Sequence, residues 1–416
     1  MMSKKEKNNK TDNIPKLRFP EFKNEREWEY VYGDELFEPV SNKIHNSDLP
    51  ILAITQEHGA VPRNMINYHV SVTEKSIESY KVVEAGDFII SLRSFQGGIE
   101  YSNYLGLCSP AYIVLRKKED IINDFYRHYF KSYPFIQDLN KNLEGIRDGK
   151  MISYKQFSEI LIPRPLKIEQ QKIAACLSSL DEVIAAHSQK LELLKEHKKG
   201  LMQNLFPREG ESVPKLRFKE FAKDGEWETK ELSELGILIN GLTYSPTDVR
   251  EDGLLVLRSS NILNGIIDLN DCVYVRSNIK GVNLAKPNDI LVCVRNGSKD
   301  LIGKNAIIPK DLGLATHGAF MTVFRTNIPE FVFQLFQTDY YDNQVKTGLG
   351  ATINSINGKN FLEYKFPIPK NPKEQQLIAS CLSRLDELIK MQVKKIAQLK
   401  QHKKGLMQGL FPQMNG

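Results

Sequence analysis

The chain has 416 residues, 41% hydrophobic and 26% charged, which is length enough for two or three domains with sizeable cores and a composition ordinary for soluble globular protein. The 57 basic and 51 acidic residues leave a formal net charge of +6, which permits a polyanionic partner without demanding one. Cys108, Cys176, Cys272, Cys293 and Cys381 form no CxxC pair and stand apart from clustered histidines, which argues against a disulfide framework or a zinc site. No apolar run reaches the ~20 residues of a membrane span. The start MMSKKEKNNKTDN has no signal-peptide core, so residues 1–13 read as a disordered tail of a cytoplasmic protein.

From Ile14 a motif opens that occurs twice. IPKLRFPEF followed by Trp28 is answered by VPKLRFKEF followed by Trp227, so the chain's 2 tryptophans share one repeat position. A globular portion follows each opening, over 14–166 and 214–371. Within these portions the likeness survives as islands. AGDFIISLRSFQGG (85–98) matches PNDILVCVRNGSKD (287–300), a Gly-Asp or Asn-Asp turn leading into a β-branched run, an arginine and a polar loop. LAITQEHGAV (52–61) pairs with VLRSSNILNGII (256–267), and GIRDGKMISYKQF (145–157) with GATINSINGKNF (350–361). Residues 121–139 and 330–345 carry aromatic and aliphatic residues at helical spacing and predict core helices packed on a sheet.

After a proline strand, IPRP or FPIP, each portion launches a long helix, over 167–207 and 372–412, with the polar connector 208–213 (REGESV) after the first. From Glu169 and from Glu374 the two helices align without a gap, with 25 of 39 positions identical. Ile173, Leu177, Leu180, Ile184, Leu191, Leu194, Leu201 and Leu205 alternate steps of four and three, a heptad seam with polar interruptions at His187 and Lys198. The second copy repeats it from Ile378 to Leu410 with interruptions at Gln392 and Lys403. Each helix should span about 55 Å at ~1.5 Å per residue. Two narrow apolar faces of equal length suit each other. The fold expected is α+β: two tandem mixed α/β portions joined by two long helices, pseudo-twofold. Rods and framework are alike in both copies while the loops differ, which fits a target with two distinct half-sites.

These residues resemble a known family, the specificity (S) subunit of type I restriction-modification systems. The likeness runs from Ile14 to Pro412 and is carried by IEQQKIAACLSSLDEVI and KEQQLIASCLSRLDELI, by KKGLMQNLFP and KKGLMQGLFP, and by the paired PKLRF openings. The resemblance implies two target recognition domains, each reading one half of a bipartite DNA sequence, and two helices paired as an antiparallel coiled coil that spaces them. It also implies a subunit that catalyses nothing. Its partners would be double-stranded DNA, two methyltransferase (modification) subunits and restriction/translocase subunits. S-adenosylmethionine, ATP and Mg2+ would sit on those partners, with no cofactor on this chain.

The motifs of an enzyme are missing in the same sense. The nearest string to an adenine methyltransferase loop, Asn371-Pro372-Lys373, lacks the second proline and the aromatic. GSKDLIGKN (297–305) has the wrong glycine spacing for a phosphate-binding loop and ends in asparagine. The histidines make no ligand spacing, and neither GxSxG nor HExxH occurs. A self-contained nuclease or methyltransferase is thereby disfavoured. A coiled-coil scaffold that binds protein partners without reading DNA stays open as the alternative.

With the DNA-reading role that the resemblance implies, donors and acceptors on the island loops are the candidate DNA contacts. In the first portion these are Gln56, Arg63, Arg93, Ser94, Gln96, Arg147, Lys150, Tyr154 and Lys155. In the second they are Arg258, Ser259, Asn261, Arg295, Asn296, Ser298, Lys299, Lys304, Asn354, Asn357 and Lys359. Lys155 and Lys359 occupy matching positions, which suits phosphate contact, common to both halves, better than base reading. For partner docking the candidates are helix residues outside the seam: Glu169, Gln170, Gln171, Asp181 and Glu182, with their copies Glu374, Gln375, Gln376, Asp386 and Glu387. The central residues His187 and Gln392 are expected to meet where the helices cross.

Overall fold

The computed structural model describes residues 14–46, 48–66, 74–141, 152–349 and 354–412. The expected tail 1–13 and the candidate contacts Arg147 and Lys150 lie outside the described residues. The chain forms two compact units, one of residues 1–188 with 394–416 and one of residues 189–393.

In the first unit the run FII forms the strand Phe88–Ile90, all of it buried. It lies inside a four-stranded antiparallel sheet ordered Phe37–Val40, Ile113–Lys117, Phe88–Ile90, Glu100–Tyr101. Its side chains alternate between two cores, which is why the run is continuously apolar. Phe88 and Ile90 join an aromatic cluster with Phe37, Phe125, Tyr126, Phe130 and Phe135, while Ile89 joins Leu52, Val83, Cys108 and Val114 on the other face. The second unit repeats the arrangement in the order Gly236–Asn240, Met321–Thr326, Ile290–Cys293, Asn305–Ile307. There Ile290 and Val292 face one cluster and Leu291 and Cys293 the other.

The expected turns before these strands are present and have a second task. Gly86 takes a φ of 104° and Asn288 one of 68°, the left-handed region that glycine and asparagine tolerate. The aspartate that follows accepts a backbone N–H, from Glu84 to Asp87 and from Lys286 to Asp289, both at 2.8 Å. Each carboxylate is also gripped by two guanidinium nitrogens, Asp87 by Arg116 at 2.8 Å twice and Asp289 by Arg325 at 2.8 and 2.6 Å. The fork geometry ties the turn to the neighbouring strand.

The core helices foreseen over 121–139 and 330–345 are two pairs, Asn123–Tyr129 with Tyr133–Lys141 and Pro329–Leu335 with Asp339–Gly348. The long helices run Lys167–Leu205 and Pro372–Leu410, 39 residues each. Their seam differs from the expectation at its ends, which pack into globular cores. In the first unit Ile173, Ala174 and Leu177 share the aromatic cluster with Leu410 and Phe411. In the second, Ile378, Ala379 and Leu382 share a core with Met202, Leu205 and Phe206. Mid-seam residues such as Leu180, Ile184, Leu191 and Leu194 are half-buried.

The repeated openings fasten to these same helices. The Leu17 N–H donates to the Gly409 carbonyl and the Leu216 N–H to the Asn204 carbonyl, each at 2.8 Å. Arg18 grips both oxygens of Glu169 at 2.8 and 2.9 Å, and Arg217 grips Glu374 at 2.8 Å twice, with both carboxylates 1% exposed. Trp28 packs edge-on to Phe125 at 5.9 Å and Trp227 to Phe206 at 6.2 Å. The duplicated motifs are thus the joints of each unit.

Candidate nucleic-acid interface

In the second unit three loops far apart in sequence meet. The Asn296 amide donates to the Ser259 hydroxyl at 3.0 Å, and the Asn354 amide donates to the Gly297 carbonyl at 3.0 Å. Arg295 forms a backbone bridge with Ser355. Both the Val294 and the Arg295 N–H donate to the Phe320 carbonyl, at 3.0 and 3.1 Å, which brings in a fourth segment. The guanidinium of Arg295 lies 5.7 Å from the centre of the Phe320 ring, within cation–π range. Arg295, Ser298, Lys299 and Lys359 are exposed and Lys304 is half-buried. No sequence pattern singled out Phe320, whose signal is a lone exposed aromatic in a turn between two strands.

Several candidates of this unit build the loops instead. Asn261 is fully buried, its amide donating to the Asp268 and Asp271 carbonyls at 2.9 Å while its oxygen accepts the Arg258 N–H at 2.9 Å. Arg258 is itself paired with the Asp271 carboxylate at 2.8 Å. Asn357 caps the short helix Gly358–Leu362 by accepting the Lys359 N–H, so its oxygen is committed to the fold.

The first unit has the matching junction. The Gln56 amide donates to the Arg93 carbonyl at 3.1 Å, joining the first island to the second, and Gln56, Arg93 and Gln96 are exposed. Arg63 is half-buried at a short turn, Arg63–Met65, where its N–H donates to the Ile51 carbonyl at 3.0 Å. Two candidates are corrected. Ser94 is 1% exposed and its hydroxyl accepts the Ser91 N–H, so it closes the turn. The Tyr154 hydroxyl donates to the Phe37 carbonyl at 3.0 Å and its ring packs on the core, leaving only Lys155 exposed on that helix as a contact.

Of the ten helix residues proposed for docking, six are consumed inside their own unit. Glu169 and Glu374 hold the arginines described above. Gln170 accepts the Ile122 N–H and donates to the Pro165 carbonyl, and Gln375 donates to the Pro369 carbonyl. Asp181 binds the Lys403 ammonium at 2.5 and 2.6 Å, and Asp386 binds Lys198 at 2.6 Å and the Gln334 amide at 2.8 Å. Two polar interruptions of the seam, Lys198 and Lys403, are therefore answered by the aspartates. Gln171, Glu182, Gln376 and Glu387 stay exposed. Beside them the sequence pattern overlooked Val183, Leu388 and Met391, which are 43%, 45% and 58% exposed.

Residues 25–196 and 224–401 each match the family described as type I restriction modification DNA specificity domain. The chain belongs to that family. The two specificity domains include the loop junctions just described and most of both long helices. Curated relatives point the same way. The type I restriction enzyme MjaVIII specificity subunit of Methanocaldococcus jannaschii is 25% identical over 411 residues, 94% of this chain and 92% of that one. The StySPI specificity subunit of Salmonella potsdam is 31% identical over 170 residues, 38% of this chain and 36% of that one. The crystal structure of the type I restriction-modification S subunit from M. genitalium shares the fold, with a TM-score of 0.60 at 17% identity over 96% of this chain and 99% of that one. No described helix is long and apolar enough to cross a membrane, and among the described residues no group of three or more His, Cys, Asp or Glu could hold a metal ion.

Proposed function

We propose that this specificity subunit reads a bipartite double-stranded DNA site, one half with the loop junction of each unit, and presents it to modification and restriction subunits. The observation that carries the reading is the convergence of separate polar loops on one framework, Gln56 with Arg93 in one unit and Ser259 with Asn296 in the other. The framework beneath them is the same in both, down to the Asp87–Arg116 and Asp289–Arg325 pairs. Arginine offers a fork to guanine O6 and N7, and asparagine or glutamine one to adenine N6 and N7, so different loops on one frame suit different half-sites. Lys155 and Lys359 serve the phosphates.

In this reading the long helices pair antiparallel as a coiled coil and fix the distance between half-sites, with His187 and Gln392 near the crossing. Their outer faces dock two methyltransferase subunits through Glu182, Val183, Glu387 and Leu388. This chain holds no cofactor and catalyses nothing. S-adenosylmethionine, ATP and Mg2+ belong to the partners, which expose the target adenine by taking it out of the stack. The assembly works in the cytoplasm.

The test uses the chain assembled with its modification subunits, on duplexes carrying the motif found by methylome sequencing. Arg295→Ala lowers discrimination at one position of the second half-site by ~1 to 3 kcal/mol, while Lys359→Ala weakens every duplex alike. Competition with single-base variants measures both. Equal losses for all variants with Arg295→Ala would remove its base-reading role, and equal affinity of the intact complex for site and random duplex would favour the scaffold alternative.

A further inference from the structure

We infer that Phe320 is a specificity residue of the second unit, reading the 5-methyl group of a thymine in the major groove. The inference rests on the proposed DNA-reading function and adds to it a residue and a chemical group. Phe320 is 58% exposed. A single exposed apolar side chain is ordinary by itself, so the argument comes from where this one stands.

Its backbone is pinned. The Phe320 carbonyl accepts two N–H groups, from Val294 and Arg295, the Met321 N–H donates to the Gly318 carbonyl at 2.8 Å, and the Gly318 N–H donates to the Leu257 carbonyl at 2.9 Å. The ring therefore projects from a fixed turn into the middle of the polar loops, with the guanidinium of exposed Arg295 at 5.7 Å as its cover. Among the groups a base pair shows in the major groove, the thymine methyl is the apolar one, and phenylalanine is a side chain that contacts it. Stacking on the ring also limits the arginine's freedom, so one module offers an apolar contact and a two-pronged donor side by side.

The other unit supplies an internal comparison. Arg116 and Arg325 are equivalent, since each grips the buried aspartate before the central strand and each lies two residues past a valine paired with that strand, Val114 with Ile89 and Val323 with Leu291. Five residues before Arg325 stands Phe320, and five before Arg116 stands Ala111, also exposed. A side chain needed for folding would be expected in both units. One that differs in size at an exposed position of a shared frame suits discrimination between two half-sites.

The experiment measures competition binding by the full chain with its modification subunits. The competitors are the native duplex and a series in which each thymine of the second half-site is replaced singly by deoxyuridine, which removes the methyl alone. The wild-type complex should lose roughly fourfold at one thymine, the value of one buried methyl-sized group. Phe320→Ala should weaken binding to the native duplex by at least that factor and show no further loss at that thymine. Phe320→Leu should keep part of the methyl sensitivity. The inference is overturned if Phe320→Ala retains the full wild-type loss at that thymine, or if the wild-type complex is indifferent to every replacement while still preferring its own motif. Loss of all preference for the motif in the wild-type complex would instead overturn the DNA-reading function together with this inference. An unchanged thermal midpoint of Phe320→Ala establishes that its fold is intact.

Discussion

His128 and Gln334 are the sixth residues of equivalent helices, Asn123–Tyr129 and Pro329–Leu335, and both are buried against an aspartate of a long helix, Asp181 or Asp386. His128 lies 3.1 Å from the Ser178 hydroxyl and 3.9 Å from Asp181, whose charge is already taken by Lys403. Burial, then the nearby Lys403 charge, pushes the imidazole pKa down to about 3, with Asp181 opposing and Arg127 adding to the push. The folded chain therefore keeps this ring neutral while the unfolded chain protonates it below about pH 6.5. Stability is thus fully present above that value and is lost as pH falls toward 3, by up to about 1.4 kcal/mol per pH unit. His317, also pushed down by burial, acts in the same direction. Gln334 does not titrate and donates to Asp386 instead. We predict that His128→Gln raises the thermal midpoint at pH 5 relative to the wild type and changes it little at pH 8, leaving the residual slope due to His317. Parallel midpoint-against-pH curves for the two proteins would refute this.

At the scale of elements, the set of candidate docking residues narrows from sequence to structure for a physical reason. A heptad plot separates apolar from polar positions, but it cannot say which polar positions are already bonded. Glu169 and Glu374 look solvated in a helix's first turn, where the dipole favours acid. Their partners Arg18 and Arg217 come from segments more than 150 residues away along the chain. The same blindness to long-range partners affected Tyr154, bonded to Phe37, whereas Ser94 and Asn261 are spent on neighbours within ten residues, Ser91 for the one and Arg258, Asp268 and Asp271 for the other. What the sequence did disclose was the frame: the repeat, the Gly-Asp and Asn-Asp turns, the aromatic helices and the island loops, each a local pattern with a local cause. Near the docking candidates that stay exposed, Glu182 and Glu387, the apolar residues Val183, Leu388 and Met391 are exposed too. Leu388→Asp should shift stability by no more than about 0.5 kcal/mol, as exposed substitutions do, yet cut co-purification of the modification subunit by tenfold or more. Undiminished co-purification, with Val183→Asp equally silent, would move docking elsewhere.

At the scale of the whole molecule, the proposed spacing of half-sites turns on the duplicated helix. Both copies are 39 residues long, and the ends of both are locked into cores through Leu177, Leu205, Leu382 and Leu410. The locked ends leave no play for a change of length, so the middle of the helix is where a change would be felt. Adding four residues lengthens a helix by about 6 Å and rotates its far end by roughly 40°, since 3.6 residues make a turn. About 6 Å along B-DNA is close to two base pairs at ~3.4 Å each. If the helices pair as proposed, inserting four residues beside His187, matched by four beside Gln392, should lengthen the gap in the recognised motif by one or two base pairs, as read by methylome sequencing. Insertion in one copy alone leaves Asp181 with Lys403 and Asp386 with Lys198 unable to keep a common register, and should abolish assembly. A doubly lengthened protein that assembles and methylates the original motif would show that the helices do not set the spacing.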